Sequence, residues 1–188
     1  NYISPTFNYE PRFAKPVFVY WLMSLSYHVF GVSEFAARFP SAIFGVGLIL
    51  LQYLFLTRCR GPVVGLFGAA MLLLNLEIIG LSRMALTDSV LIFFTTLSLY
   101  GFWLGLYGEG RERHYLWFFY IGMALATLTK GPIGFLIPML AVGLHLWLTR
   151  SWGLFWRHGF PIPGLLLFLL LALPWYLIML NIHGQRYT

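Results

Sequence analysis

The chain has 188 residues, of which 60% are hydrophobic and only 10% charged, with a mean hydropathy of +0.79. Ordinary globular domains carry ~25% charged residues, so 12 Lys and Arg with 6 Asp and Glu are too few to cover a soluble protein of this size. The net charge of +6 comes without a Lys/Arg run, which excludes a nucleic-acid footprint, and the single cysteine, Cys59, excludes an intrachain disulfide or a Cys-based metal site.

Asn1 is not an initiator Met, and only a short polar tail follows the last apolar run. An internal piece of a longer polytopic protein is the expectation. Residues 16–30 are too short and too mixed for a span. Pro16 suits a first helical turn, and Phe18, Tyr20, Trp21, Tyr27 and Phe30 fit headgroup level, so this segment is expected to be an interfacial helix ended by Gly31. A spanning helix needs about 20 apolar residues. The runs 39–57, 63–81, 89–107 and 162–181 meet that length, and Pro174 is expected to kink the last of them. Residues 115–148 are too long for one span, and Lys130-Gly131-Pro132 divides them into 115–129 and 131–148. The expected architecture is all-α: one polytopic bundle over 1–188, with about six spans and a juxtamembrane helix.

The breaks between runs sort the charges. Every second break carries a pair of arginines: Arg58/Arg60, Arg111/Arg113 and Arg150/Arg157. The other breaks hold Lys15, Arg83 with Asp88, Lys130, and His183 with Arg186. In a bilayer the second group gathers on one face. Lys and Arg count 6 on each side, so the positive-inside rule leaves the orientation open.

Each motif has a chemical and a plain structural reading. Lys15, ahead of a helix, is a point charge for a phosphate or a snorkelling side chain. Arg83 binds a phosphate and Asp88 orients a sugar, a basic side chain or a metal, or else the two pair with one another, or Asp88 caps the next helix. Lys130 lies between two apolar segments, where a charge is costly unless it meets water or a ligand. Arg38 reads as a snorkelling or packing arginine. Asn75 and Glu77 lie inside the run 63–81, where such groups face the bundle interior, and Glu77 is a partner for Arg83. The five histidines show no metal-ligand spacing. Sites for serine chemistry or nucleotide binding are absent as sequence motifs.

Taken together, Phe13-Ala14-Lys15-Pro16, Phe30-Gly31-Val32-Ser33-Glu34-Phe35-Ala36-Ala37-Arg38-Phe39-Pro40, Arg83-Met84-Ala85-Leu86-Thr87-Asp88 and Leu128-Thr129-Lys130-Gly131-Pro132 resemble the polyprenyl-phosphate-sugar-dependent glycosyltransferases of GT-C fold. The likeness is to the lipid A aminoarabinose transferases and, more distantly, to the protein mannosyltransferases. The resemblance implies transfer of a sugar from a polyprenyl-phosphate carrier to an acceptor hydroxyl, with inversion, on the periplasmic or external face of a bacterial inner membrane. The acceptor would be a lipid, such as lipid A, another glycan or a protein. Lys15 would contact the carrier phosphate, Asp88 would be the catalytic acidic residue of the active-site loop, and Arg83 and Lys130 would line the same cavity. A general base activates the acceptor, and the family's candidate for it precedes the stretch matching Asn1. Metal-binding relatives use a Glu where this chain has Ala14, which argues against a divalent metal, the one cofactor the resemblance leaves open. The rival is a transporter or flippase of a phosphate-bearing lipid, but transporters place coupling groups at mid-membrane on broken helices, and here the charges cluster toward one face.

Overall fold

The structure, a computed structural model, describes residues 3, 6–7, 10–11, 15–108 and 112–184. Two short antiparallel strands, β1 (Thr6–Phe7) and β2 (Glu10–Pro11), precede nine helices among the described residues. Helix α1 (Phe18–Phe30) follows Pro16 closely and ends at Gly31, whose φ of 74° is open to glycine at little cost. Helix α2 (Glu34–Arg60) begins at Ser33, whose hydroxyl accepts from the Ala36 amide at 3.2 Å. It ends at Gly61, and Pro62 opens α3 (Pro62–Leu73), the position where its missing N–H costs least.

The run 63–81 is not one straight helix, as the sequence suggested. The chain breaks after α3, and α4 (Leu76–Arg83) leaves at an angle of 62°. The reason is Asn75. Its side chain accepts from the Ile78 amide at 3.1 Å and caps α4, an alternative to continuing the helix that Asn favours. Asn75 and Glu77 are exposed rather than turned to the bundle interior, and Glu77 forms no ion pair with Arg83.

Helix α5 (Asp88–Tyr107) packs antiparallel on α6 (Tyr115–Lys130) over a more extensive contact than any other helix pair among the described residues. Small residues set this proximity. A Cβ on Gly122 would lie 2.7 Å from the Phe94 carbonyl oxygen, and one on Gly101 would lie 2.7 Å from that of Tyr115. The Ser98 hydroxyl, fully buried, donates to the Phe119 carbonyl at 2.9 Å across the same seam. Small-residue approach and interhelical hydrogen bonds are how helices associate where lipid removes the usual hydrophobic drive. Gly131 (φ 75°) and Pro132 turn the chain into α7 (Ile133–Leu148), and the short α8 (Trp152–His158) leads to α9 (Pro161–His183). Pro174 lies inside α9, which continues through it.

The core is built from Phe102, Phe119, Tyr120, Met123, Val142 and Leu146. Outward-facing leucines such as Leu140, Leu166 and Leu170 are 63–71% exposed, a pattern suited to hydrocarbon rather than water. Helices α2, α5 and α9 are long and apolar enough to cross a membrane, and α3 with α4 adds a fourth crossing if the bent pair counts as one. Helices α6 and α7 have 16 residues each, about 24 Å at 1.5 Å per residue, short of a ~30 Å hydrocarbon core. Seven helices, α2 to α7 and α9, therefore cover the six expected runs, with α3 and α4 sharing one, and length and composition alone admit three or four spans among the described residues rather than six.

Candidate active site

Four helices and the segment before α1 meet where α5 begins and α6 ends. Lys15 is anchored by its neighbours. Val17, 1% exposed, packs with Leu128, Trp175 and Met179, and Val19 packs against Val90, Leu91 and Phe94. The loop between α4 and α5 is tied to α2 by the Ser41 hydroxyl, which donates to the Leu86 carbonyl at 3.0 Å. These fixed backbones bring Lys15 Nζ to 3.4 Å from Thr87 Oγ1, a hydroxyl on a residue only 5% exposed.

The next side chain, Asp88, accepts from Lys130 Nζ at 2.6 Å. Both partners are half-buried, with side-chain exposures of 35% for Lys130 and 29% for Asp88. The placement is electrostatically consistent. Asp88 opens α5 and Lys130 closes α6, so each charge sits at the helix end whose dipole favours it. The last turn of α6 is braced by its threonines: Thr127 donates to the Met123 carbonyl at 2.8 Å and Thr129 to that of Leu125 at 2.7 Å. From α9, the Tyr176 hydroxyl donates to the Thr127 carbonyl at 3.1 Å.

Of the four residues expected to converge, Lys15, Asp88 and Lys130 do so, through Thr87. Arg83 ends α4, is exposed, and contacts none of the other three. Asp88 pairs with Lys130 rather than with Arg83, and its side chain makes no cap on α5. Arg38 pairs with Glu34 at 2.9 Å on the exposed first turns of α2. Ala14, Arg111 and Arg186 lie outside the described residues. Thr87, Tyr176 and Ser41 were not singled out in the sequence. Thr87 had a signal, being the neighbour of Asp88 in the same loop motif; the other two act on backbone carbonyls far away in the chain, which no local pattern reveals.

The arrangement suits anion binding. The Lys130 ammonium engages the Asp88 carboxylate, and a second ammonium, that of Lys15, lies on the hydroxyl of the adjacent Thr87. Among the described residues, no three His, Cys, Asp or Glu side chains gather into a metal-ligand set, and Asp88 held by Lys130 with no second acid beside it is a poor donor set for a divalent ion.

The similarities to known proteins agree with this frame. The family model of dolichyl-phosphate-mannose-protein mannosyltransferases matches residues 3–184. An uncharacterized protein of Aquifex aeolicus is 33% identical over the whole chain, which covers 41% of that protein. An undecaprenyl phosphate-alpha-4-amino-4-deoxy-L-arabinose arabinosyl transferase of Pseudomonas fluorescens is 30% identical over 99% of the chain and 34% of the relative. The crystal structure of ArnT from Cupriavidus metallidurans bound to undecaprenyl phosphate superposes with a TM-score of 0.93 at 24% identity, over 98% of this chain and 35% of that one. The chain thus spans well under half the length of these relatives, and the last of them speaks to the fold alone. With the family model running through nearly every residue, the chain belongs to the dolichyl-phosphate-mannose-protein mannosyltransferase family.

Proposed function

We propose that the protein is a membrane glycosyltransferase that moves a sugar from a polyprenyl-phosphate carrier to an acceptor hydroxyl of a lipid, glycan or protein, inverting the anomeric centre. The observation that carries this reading is the meeting of Lys15, Asp88 and Lys130 from three distant parts of the chain at one end of an apolar bundle. The Pseudomonas fluorescens relative is named for an undecaprenyl phosphate-linked sugar and the Cupriavidus metallidurans structure for undecaprenyl phosphate itself, which supports a carrier of that class. The charged end faces the periplasm or exterior in this reading. Clustering at one end, rather than at mid-membrane, favours an interfacial enzyme over a transporter.

Each residue then has a role. Lys15 and Lys130 neutralise the carrier phosphate, whose negative charge grows as the bond to the anomeric carbon breaks, and fixed cations lower the barrier only to the extent that they bind this charge more tightly in the transition state. Asp88 positions Lys130 rather than abstracting a proton. Thr87 holds Lys15. Arg83, exposed at the rim, meets the carrier phosphate or the acceptor as they enter. The chain's Ala14, where metal-binding relatives have an acid, supports neutralisation by ammonium groups. The acceptor proton leaves to a base on another part of the enzyme.

Deletion of the gene, followed by mass spectrometry of polyprenyl-linked sugars, tests the activity. Accumulation of one carrier-linked sugar, reversed by the wild-type gene but not by a Lys15→Ala or Lys130→Ala gene expressed at equal level, is the expected result. Full reversal by both variants would remove these lysines from the reaction.

A further inference from the structure

We propose a second site at the opposite end of the bundle, one that binds an anionic glycerophospholipid with its phosphate at Arg58 and Arg60 and an acyl chain between α2 and α5. A cavity of about 420 Å³ is bordered there by Arg58, Arg60, Trp103 and Tyr107. Below it runs an apolar groove of about 330 Å³, walled by Leu51, Leu54 and Phe55 of α2 and by Leu97 and Leu104 of α5. Arg58, Phe55 and Leu104 line both, so the charged cavity opens onto the apolar groove. Both volumes fall in the usual range for ligand sites, ~300–1,000 Å³.

The geometry selects a lipid. The groove extends from Leu51 to Arg58 on α2 and from Leu97 to Leu104 on α5, about 10 Å along each helix at 1.5 Å per residue. It therefore runs with the helices, as an acyl chain does in a bilayer. Asp88 and Tyr107 lie at opposite ends of α5, about 29 Å apart by the same rise, so the arginine cavity sits one hydrocarbon thickness from the Lys15 cluster, at the other headgroup level. Trp103 and Tyr107 are the amphipathic aromatics expected at that level.

Charge complementarity completes the argument. Arg58 pairs with Glu112 at 2.5 Å, and both arginines are exposed. Among the described residues lining the cavity or paired with its lining, two guanidiniums and one carboxylate leave one positive charge, matched by the single negative charge of a phosphatidylglycerol phosphate. Basic pockets between membrane helices bind anionic headgroups in this way. A protein helix laid in the groove would instead carry apolar side chains past two guanidiniums and need an acid of its own at their level.

The test uses full-length protein in detergent, delipidated and titrated with dioleoyl phosphatidylglycerol or dioleoyl phosphatidylcholine under native mass spectrometry. The wild-type protein is expected to bind phosphatidylglycerol at least about tenfold more tightly, since two basic side chains near a headgroup are together worth roughly thirtyfold. Arg58→Gln with Arg60→Gln should remove that preference. Leu54→Trp, at a position 62% exposed and on the groove wall, should weaken binding of both lipids by filling the tail groove without touching a charge. Glu112→Gln should strengthen phosphatidylglycerol binding severalfold by freeing Arg58. Equal binding of the two lipids by the wild-type protein overturns the proposal, as does unchanged phosphatidylglycerol binding in the arginine double variant. If that variant fails to fold, the other two decide: an unaltered affinity in both Leu54→Trp and Glu112→Gln removes the site.

Discussion

The pairing of Asp88 with Lys130 makes a kinetic prediction that separates two roles for the carboxylate. Asp88→Asn keeps the side-chain shape but leaves Lys130 without its counter-charge at 2.6 Å. Losing one preorganised cation from a developing anion costs on the order of 100-fold in rate, about 2.7 kcal/mol, so Lys130→Met should lower kcat/KM by about that much. If Asp88 acts by holding Lys130, Asp88→Asn lowers kcat/KM by a similar or smaller factor, and the double variant is no slower than Lys130→Met alone. If Asp88 were an independent proton acceptor, the losses would multiply to roughly 10⁴-fold, as uncoupled effects add in free energy. The assay is sugar transfer from a polyprenyl-phosphate donor by the full-length protein in nanodiscs, with melting temperature measured alongside. The structure also sets the stability scale. The pair is half-buried, between exposed pairs worth ~0.2–1 kcal/mol and buried ones whose breakage costs ~3–5 kcal/mol, so Asp88→Asn should destabilise by about 2 kcal/mol. Multiplicative rate losses would refute the positioning role.

Lys15→Ala should lower transfer on the order of 100-fold while leaving the melting temperature nearly unchanged, and Lys15→Arg should rescue poorly, because the guanidinium fork is larger and directional; wild-type kinetics in the alanine variant would count against a phosphate contact. Gly122→Ala puts a methyl 2.7 Å from the Phe94 carbonyl oxygen and 2.8 Å from the Ser98 amide nitrogen, neither of which can yield, so it should destabilise by about 1–3 kcal/mol, read as a lower melting temperature in detergent. In a Cys59→Ser background, single cysteines at Arg83 and Arg150 should label from opposite sides of intact cells, Arg83 from outside; labelling of both from one side would contradict the arrangement of the helices.

Much of the fold was legible because bilayer-length apolar runs and their punctuation are local. Gly31, Gly61 and Gly131 each end a helix where the sequence placed a break, and each has the positive φ that favours glycine. The break after Leu74 was not legible, because the run 63–81 is apolar enough to hide one Asn whose side chain prefers to cap a new helix. At the site, the lysines and Asp88 stood out as charges in apolar surroundings. Their pairing did not, since Asp88 could reach Arg83, five residues away, as easily on paper as Lys130, forty-two residues away. The close α5–α6 seam chose Lys130, and that seam depends on Gly101, Gly122 and Ser98, residues that carry no chemistry of their own.

Under the proposed function, the charge count at the site bears on why a carboxylate should stand between two lysine-bearing segments at all. Lys15 and Lys130 supply two positive charges and Asp88 one negative, leaving one, which matches the single charge of a carrier phosphodiester. When the sugar departs, the phosphate becomes a monoester carrying ≈ −1.5 to −2 at neutral pH, its second pKa being near 6. That added charge competes with Asp88 for the Lys130 ammonium. Under the proposed function, Lys130 would be restrained in the free enzyme and drawn to the phosphate as the bond breaks, an interaction stronger in the transition state than in the ground state, which is the kind that accelerates a reaction. After transfer the same carboxylate would oppose retention of the carrier by taking its lysine back. A site of two unopposed lysines would bind the product phosphate more tightly and release it more slowly, so the pair is better understood as a balance between catalysis and release than as a contribution to folding.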